Sequence, residues 1–120
     1  MSKLSELPKK YPRLFNDKPF YFECNDGWYD LIDTLLLHIE RNLKPEQVVY
    51  ISQIKEKFGT LRFYCHDVDE ETYAMIDFAQ MMSGKICEVC GNRGQVRDDV
   101  GWYYTSCEEH KRGCEEYKRD

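Results

Sequence analysis

Residues 87–110 read CEVCGNRGQVRDDVGWYYTSCEEH. Two short chelating loops are spelled out in this stretch, Cys87-Glu88-Val89-Cys90-Gly91 and Cys107-Glu108-Glu109-His110, with sixteen residues between Cys90 and Cys107. A metal that takes four tetrahedral sulfur or nitrogen ligands can be closed by two such loops, because ligands two residues apart reach one ion from a single turn. Gly91 behind the second cysteine permits a tight turn at positive φ that brings backbone amides up to the thiolates. Gln95 to Arg97 and Trp102 to Thr105 are expected to form a short hairpin that returns the chain to the metal. The pattern follows zinc-ribbon or treble-clef logic, and it makes Cys87, Cys90, Cys107 and His110 the candidate ligands of one structural Zn2+ per chain. Cys114 is the alternative fourth ligand. His110 is preferred because its spacer from Cys107 gives the tighter chelate.

Four protein ligands close the coordination sphere, whereas a catalytic zinc keeps a position open for water. The stretch 85–120 is too short to bury a stabilising apolar core alone, and a structural zinc contributes about 10 to 16 kcal/mol of apparent binding energy to the folding of such modules. A redox-active Cys-x-x-Cys would open a helix in a thioredoxin-like setting, but here Gly91 follows the pair and a second pair answers it. The organisation expected is therefore an α+β domain over residues 1–84, with a β-hairpin between two helices, followed by a zinc-binding module over 85–120.

The chain has 120 residues, is 42% hydrophobic and 14% aromatic, and carries a net charge of −5. This is a folding composition, and the acidic balance disfavours nucleic acid and anionic membrane as partners. No apolar run reaches the length of a signal peptide or a membrane span, so a cytoplasmic location is expected, and there cysteines stay reduced and available to metal.

Within 1–84, a helix is expected from about Gly27, because Trp28, Leu31, Ile32, Leu35, Ile39 and Leu43 recur at helical spacing. Asn25-Asp26 is suited to accept the free amides of a helix start, and Asn42 and Pro45 end the helix. Phe20 to Cys24 reads as a short strand. Gln47 to Lys55 and Leu61 to Cys65 are β-branched and aromatic runs joined by the Lys57-Phe58-Gly59-Thr60 turn, a β-hairpin. The Ile51 to Ile54 spacing breaks alternation and suggests a bulge. A second helix is expected from the acidic Asp67 to Glu71 to about Ser83-Gly84, with Tyr73, Met75, Ile76, Phe78, Ala79 and Met82 as its apolar surface. Tyr11, Leu14 and Phe15 are expected to pack an irregular or short helical lead onto the body.

No local arrangement argues for an enzyme. His66-Asp67 is an isolated pair, His38 has no second histidine at metal spacing, and neither a deaminase His-x-Glu nor a phosphate-cradling glycine loop is present. Lys55, Lys57, Phe58 and Arg62 interleave charge with aromatics, a combination used on phosphates and bases, though edge protection and core packing account for the same residues. Trp102, Tyr103 and Tyr104 form a second aromatic run that is either contact surface or core. Cys24 and Cys65 read as small buried hydrophobes.

Phe22 to Trp28, the KEKFGTLRFY run from Lys55 to Tyr64, Ile86 to Gly91, and Gly101-Trp102 leading to Thr105 through His110 together resemble an uncharacterised family of small phage, prophage and bacterial proteins. The resemblance covers about residues 11 to 110, and it implies His110 as the fourth ligand. Ser106 stands where leucine is more usual, and the tail from Lys111, with Cys114, runs past the familiar end. The family has no established activity; it implies a phage or prophage setting, where small proteins bind host machinery. The expected function is thus a non-enzymatic, zinc-stabilised protein-binding module that inhibits or redirects a host protein, including as an anti-defence inhibitor. Its contacts would be Lys55, Lys57, Phe58, Arg62, Trp102 and Tyr103, and its place the host cytoplasm if phage-encoded. The alternative is a nucleic-acid-binding zinc-ribbon protein acting in transcription or replication. A third is nucleotide sequestration near Arg62 and Tyr64.

Overall fold

The computed structural model describes residues 2–113. Its architecture is α+β: helices α1 (Leu7–Lys10), α2 (Pro12–Phe15) and α3 (Tyr29–Arg41), strands β1 (Tyr50–Lys57) and β2 (Thr60–His66), helix α4 (Glu70–Ser83), and strands β3 (Gln95–Arg97) and β4 (Tyr104–Ser106). The strands form two separate two-stranded antiparallel sheets, β1-β2 and β3-β4.

The β1-β2 hairpin turns at Phe58 and Gly59, which both take positive φ, 55° and 89°, as a two-residue hairpin turn with matching twist requires. Pairing shifts register between Ile51 and Gln53, the bulge that the Ile51/Ile54 spacing suggests. The shift resets the alternation, so Ile51 and Ile54 are both buried, opposite the regularly alternating Leu61, Phe63 and Cys65 of β2. Helix α4 packs on β2 and satisfies its outer edge with side chains: Ser83 Oγ accepts the Leu61 amide at 2.8 Å, and Gln80 Oε1 accepts the Phe63 amide at 2.9 Å. The helix is capped by Asp69, whose carboxylate accepts the Thr72 amide at 2.9 Å.

Helix α3 buries Ile32, Leu35, Leu36 and Ile39. It begins at Tyr29, two residues later than the expected Gly27, because Asp26–Trp28 forms a 3-10 turn first. Asp26 does accept the amides of a helix start, but of a distant one: its carboxylate takes the Lys3 and Leu4 amides and the Ser2 hydroxyl, capping the 3-10 turn Lys3–Glu6. Leu4, Leu7, Tyr11, Leu14 and Phe15 of this lead enter the core.

The strand expected at Phe20 to Cys24 is reduced to one bridge, Glu23 beside Lys55. Phe20 and Phe22 instead stack edge-on with each other and around Phe15, with centroids 4.9 and 5.0 Å apart for the Phe20–Phe22 and Phe15–Phe20 pairs. Ring packing thus takes the place of backbone pairing. Among the described residues no helix is long and apolar enough to cross a membrane.

The stretch after Gly84 is fastened to the body by backbone and side-chain hydrogen bonds. Glu88 carbonyl accepts the Gly27 amide at 2.7 Å, Ile86 carbonyl accepts Trp28 Nε1 at 2.9 Å, and the buried Glu88 carboxylate accepts the Asn25 amide at 3.0 Å. A Cβ on Gly27 would lie 2.2 Å from the Cys87 carbonyl oxygen, so only glycine permits this approach.

Candidate metal centre

The β3-β4 hairpin returns the chain as expected, but β4 begins at Tyr104, leaving Trp102 and Tyr103 in the preceding loop. Tyr104 turns into the core, donates its hydroxyl to Asp99 at 2.6 Å and so pins the loop, while Arg112 lies over its ring. Arg97 donates to Ser106 Oγ at 2.9 Å and to Glu108 at 3.1 Å, fixing the turn that carries His110.

These elements bring Cys87, Cys90, Cys107 and His110 together, with all four ligand atoms within 4.8 Å of one another. Cys90 Sγ lies 3.7 Å from Cys107 Sγ, and His110 Nδ1 lies 3.6 Å from Cys87 Sγ and 3.1 Å from Cys107 Sγ. The edges of a tetrahedron with sulfur about 2.3 Å and nitrogen about 2.1 Å from its centre are about 3.8 Å for S···S and about 3.6 Å for S···N. Two of the three separations match, and the third, Cys107 Sγ to His110 Nδ1, is about 0.5 Å shorter than the tetrahedral edge. Nδ1 is the histidine nitrogen that faces the sulfurs. Cys114 lies outside the described residues.

The local backbone prepares the thiolates. Gly91, at φ 85°, donates to the Cys87 carbonyl at 2.9 Å and turns the chain tightly behind Cys90. Burial pushes the Cys87 thiol up, but the amides of Cys107, Cys90 and Val89 outweigh it and bring it down to about 6. The Asn92 amide lowers Cys90, yet burial and the neighbouring Cys87 and Cys107 sulfurs leave that thiol raised. Hydrogen bonds to Cys107 and Cys87 raise the imidazole of His110. Amides aimed at sulfur are the outer support that thiolate metal sites use. Four residues are therefore positioned to hold one metal ion, with Cys87 and Cys107 on the buried side and Cys90 exposed.

The other expected site residues fall into two groups. Phe58, Trp102 and Tyr103 are 65%, 53% and 52% exposed. The hairpin tip abuts their loop: a Cβ on Gly59 would lie 3.0 Å from the Tyr104 amide nitrogen and 3.2 Å from the Tyr103 carbonyl carbon. The Thr105 hydroxyl donates to the Gly59 carbonyl at the same place. Lys57 belongs to this tip, its ammonium 5.5 Å from the Phe58 ring centre. Lys55 is half-buried within β1 and stands opposite Arg62, whose guanidinium turns back onto Thr60 Oγ1 at 2.8 Å and the Leu61 carbonyl. Tyr104, counted among the possible contacts, belongs to the core. Of the two cysteines without an assigned role, Cys65 is buried and Cys24 partly so.

Fold and site together define a mixed helix and small-sheet protein with a C-terminal Cys3His cluster built to hold a metal. No family model, no curated protein and no solved structure matches the chain.

Proposed function

We propose that the chain is a non-enzymatic, zinc-stabilised protein-binding module whose contact surface is the aromatic tip formed by Phe58, Trp102 and Tyr103. One observation carries this reading: two segments more than forty residues apart, which expose Phe58 and Trp102-Tyr103, meet through backbone, Gly59 against Tyr103 and Tyr104. Aromatic residues dominate the energetic centres of protein interfaces, and an exposed patch of them marks an interaction site more often than a solvated surface. Three thiolates and an imidazole in a tetrahedral set suit Zn2+, which when bound supplies a cross-link of fixed geometry. Its role is to hold β4 and the 101–103 loop against the hairpin tip.

The resemblance to phage and prophage proteins supports a host protein as partner, with inhibition or redirection, including of a defence enzyme, as the outcome. The test is affinity capture from host lysate with the zinc-loaded chain and with a Phe58→Ser, Trp102→Ser double variant. A partner recovered reproducibly by the first and lost with the second, at equal zinc content, supports the reading. Recovery of none, or equal recovery by both, overturns it.

A second reading, nucleic-acid binding, is supported by the Lys57 ammonium over Phe58 beside exposed aromatics, the elements of a base-stacking platform. The net charge of −5 weighs against it. A band-shift titration with single- and double-stranded probes at low salt decides, and no shift there excludes it.

A further inference from the structure

The β1-β2 hairpin has two faces, and the core uses one. Leu61, Phe63 and Cys65 of β2 point into the core, so Arg62 and its β1 partner Lys55 lie on the other face, with Lys57 one step further along β1. Lys55 and Arg62 stand directly opposite each other. Like charges at opposed positions of an antiparallel pair are destabilising, and a carboxylate at either position would relieve them. This hairpin supplies none. Among the described residues Lys55, Lys57 and Arg62 have no ion-pair partner, and Glu56, the one carboxylate of the two strands, accepts the Gly59 amide at 2.8 Å. Arg62 Nη1 donates to Thr60 Oγ1 and the Leu61 carbonyl, which orients the guanidinium without neutralising it. Cations that the fold sets together and leaves uncompensated form a surface complementary to an external anion.

The extent of this cationic strip chooses the anion. The strip is short: Glu23 is bridged beside Lys55, and past His66 the chain continues into Asp67, Asp69, Glu70 and Glu71. A polynucleotide carries a charge on every unit and would run from the cations onto these carboxylates. A polypeptide can set two or three carboxylates against Lys55, Lys57 and Arg62 and continue with neutral residues. In an extended chain every second side chain recurs at about 6.6 Å on one face, the same step that separates Lys55 from Lys57. The strip also leads directly into the aromatic tip, where the Lys57 ammonium lies 5.5 Å from the Phe58 ring centre. We infer that the outer face of the β1-β2 hairpin docks an acidic, extended segment of a partner protein, its carboxylates on Lys55, Lys57 and Arg62. This rests on the protein-binding reading above and gives that partner its chemistry, an acidic strand or loop beside whatever covers Phe58.

The test records amide and arginine side-chain spectra of the isotope-labelled, zinc-loaded full chain during titration with a synthetic peptide of about ten residues that alternates glutamate and serine, long enough to span either strand. The expected result is saturable shifts confined to β1, β2 and the tip, with half-saturation below about 1 mM at low salt, and at least about tenfold weaker for a Lys55→Gln, Arg62→Gln double variant. A control double variant, Lys9→Gln, Lys18→Gln, removes the same two positive charges at exposed positions away from the hairpin and should leave half-saturation within about twofold. Equal weakening by the two double variants would mean attraction by net charge alone and overturns the proposal, as do equal shifts with a lysine-serine peptide or no shift at about 5 mM peptide. A single-stranded oligothymidylate of about ten nucleotides should bind more weakly; if it moves the same signals as tightly as the peptide or more so, the face belongs to nucleic acid and the proposal falls. Shifts of these signals that grow with protein concentration alone would assign the face to a second copy and equally overturn it. Should the double variant fold poorly, Lys55→Gln alone repeats the measurement, with at least about threefold weakening expected. A captured partner that is lost with the tip variant but retained by Lys55→Gln, Arg62→Gln would sink this inference alone and leave the proposed function standing.

Discussion

The body up to Gly84 and the stretch that follows it are held by different forces. The body's core is a continuous cluster that runs from Leu4 through Trp28, Leu36 and Ile54 to Ala79. The buried residues beyond it are Cys87, Glu88, Tyr104, Thr105, Ser106 and Cys107, mostly polar or metal-ligating. Burial of apolar surface holds the first region and needs no ion. Among the described residues the second has one large buried apolar side chain, Tyr104, and it is docked to the body by the Gly27 amide on the Glu88 carbonyl and the Thr105 hydroxyl on the Gly59 carbonyl, so the proposed metal would be its main cross-link. If the cluster holds its metal, one chain rests a small, cross-linked stretch on a conventionally packed base.

The largest expected effect separates the two regions outright. Chelation of the metal, or Cys87→Ser, should unfold residues 85–113 by removing cross-link energy on the order of 10 kcal/mol, while α3, α4 and the β1-β2 hairpin persist. Amide spectra of a labelled chain would show collapse of the β3-β4 resonances with the body's unchanged. Collapse of both regions, or of neither, would break the division. Because Nδ1 of His110 faces the sulfurs, His110→Ala should lose zinc affinity and Cys114→Ala should keep it. A competition titration with a chromophoric chelator measures both.

Next in size is the reverse experiment. Leu36 is fully buried in the body, and Leu36→Ala should cost about 2 to 5 kcal/mol in thermal or denaturant unfolding with the zinc stoichiometry unaltered at low temperature. Smaller again is the seam between the regions. Gly27→Ala places a methyl group 2.2 Å from the Cys87 carbonyl oxygen, so the backbone must give way, at about 1 to 3 kcal/mol. Its signature is a joint loss of stability and zinc affinity, together with a red shift of Trp28 emission as the indole loses its bond to the Ile86 carbonyl. Loss of stability with full zinc affinity would mean that the seam does not couple the two regions.

What could be read from the sequence was local. The ligand pairs, the bulge implied by Ile51 and Ile54, the Phe58-Gly59 turn and both long helices follow from spacing over a few residues. What escaped depended on distant partners. Asp26 caps a turn more than twenty residues earlier in the chain, which no local pattern announces. Leu36 lies on the buried arc of α3, yet the chosen apolar stripe omitted it in favour of Leu31, which faces the groove between α3 and α4. Periodicity gives α4 a wide apolar arc without saying which half the hairpin covers, and the core leaves Tyr73, Met75 and Phe78 of that arc exposed. Trp102, Tyr103 and Tyr104 are alike in hydropathy, and only the register of β4 with β3 separates the buried member from the exposed pair.

The smallest effect concerns how the N-terminal lead is fixed to the body. Tyr11 donates its hydroxyl to Asp33 Oδ1 at 2.6 Å, and burial, then this bond and the charge of Asp33, push the phenol up to about 12. An acid whose folded value lies above its ordinary 10 favours folding in its neutral form. Its contribution is complete below pH 10 and is lost as the pH rises from 10 through 12. Tyr11→Phe should therefore cost about 1 kcal/mol at neutral pH through the lost hydrogen bond, and that difference from the parent chain should shrink across the alkaline window. Because Tyr11 lies in the body, the difference should be the same with the metal chelated; a difference that vanished on chelation would mean that the lead is anchored through the C-terminal stretch instead.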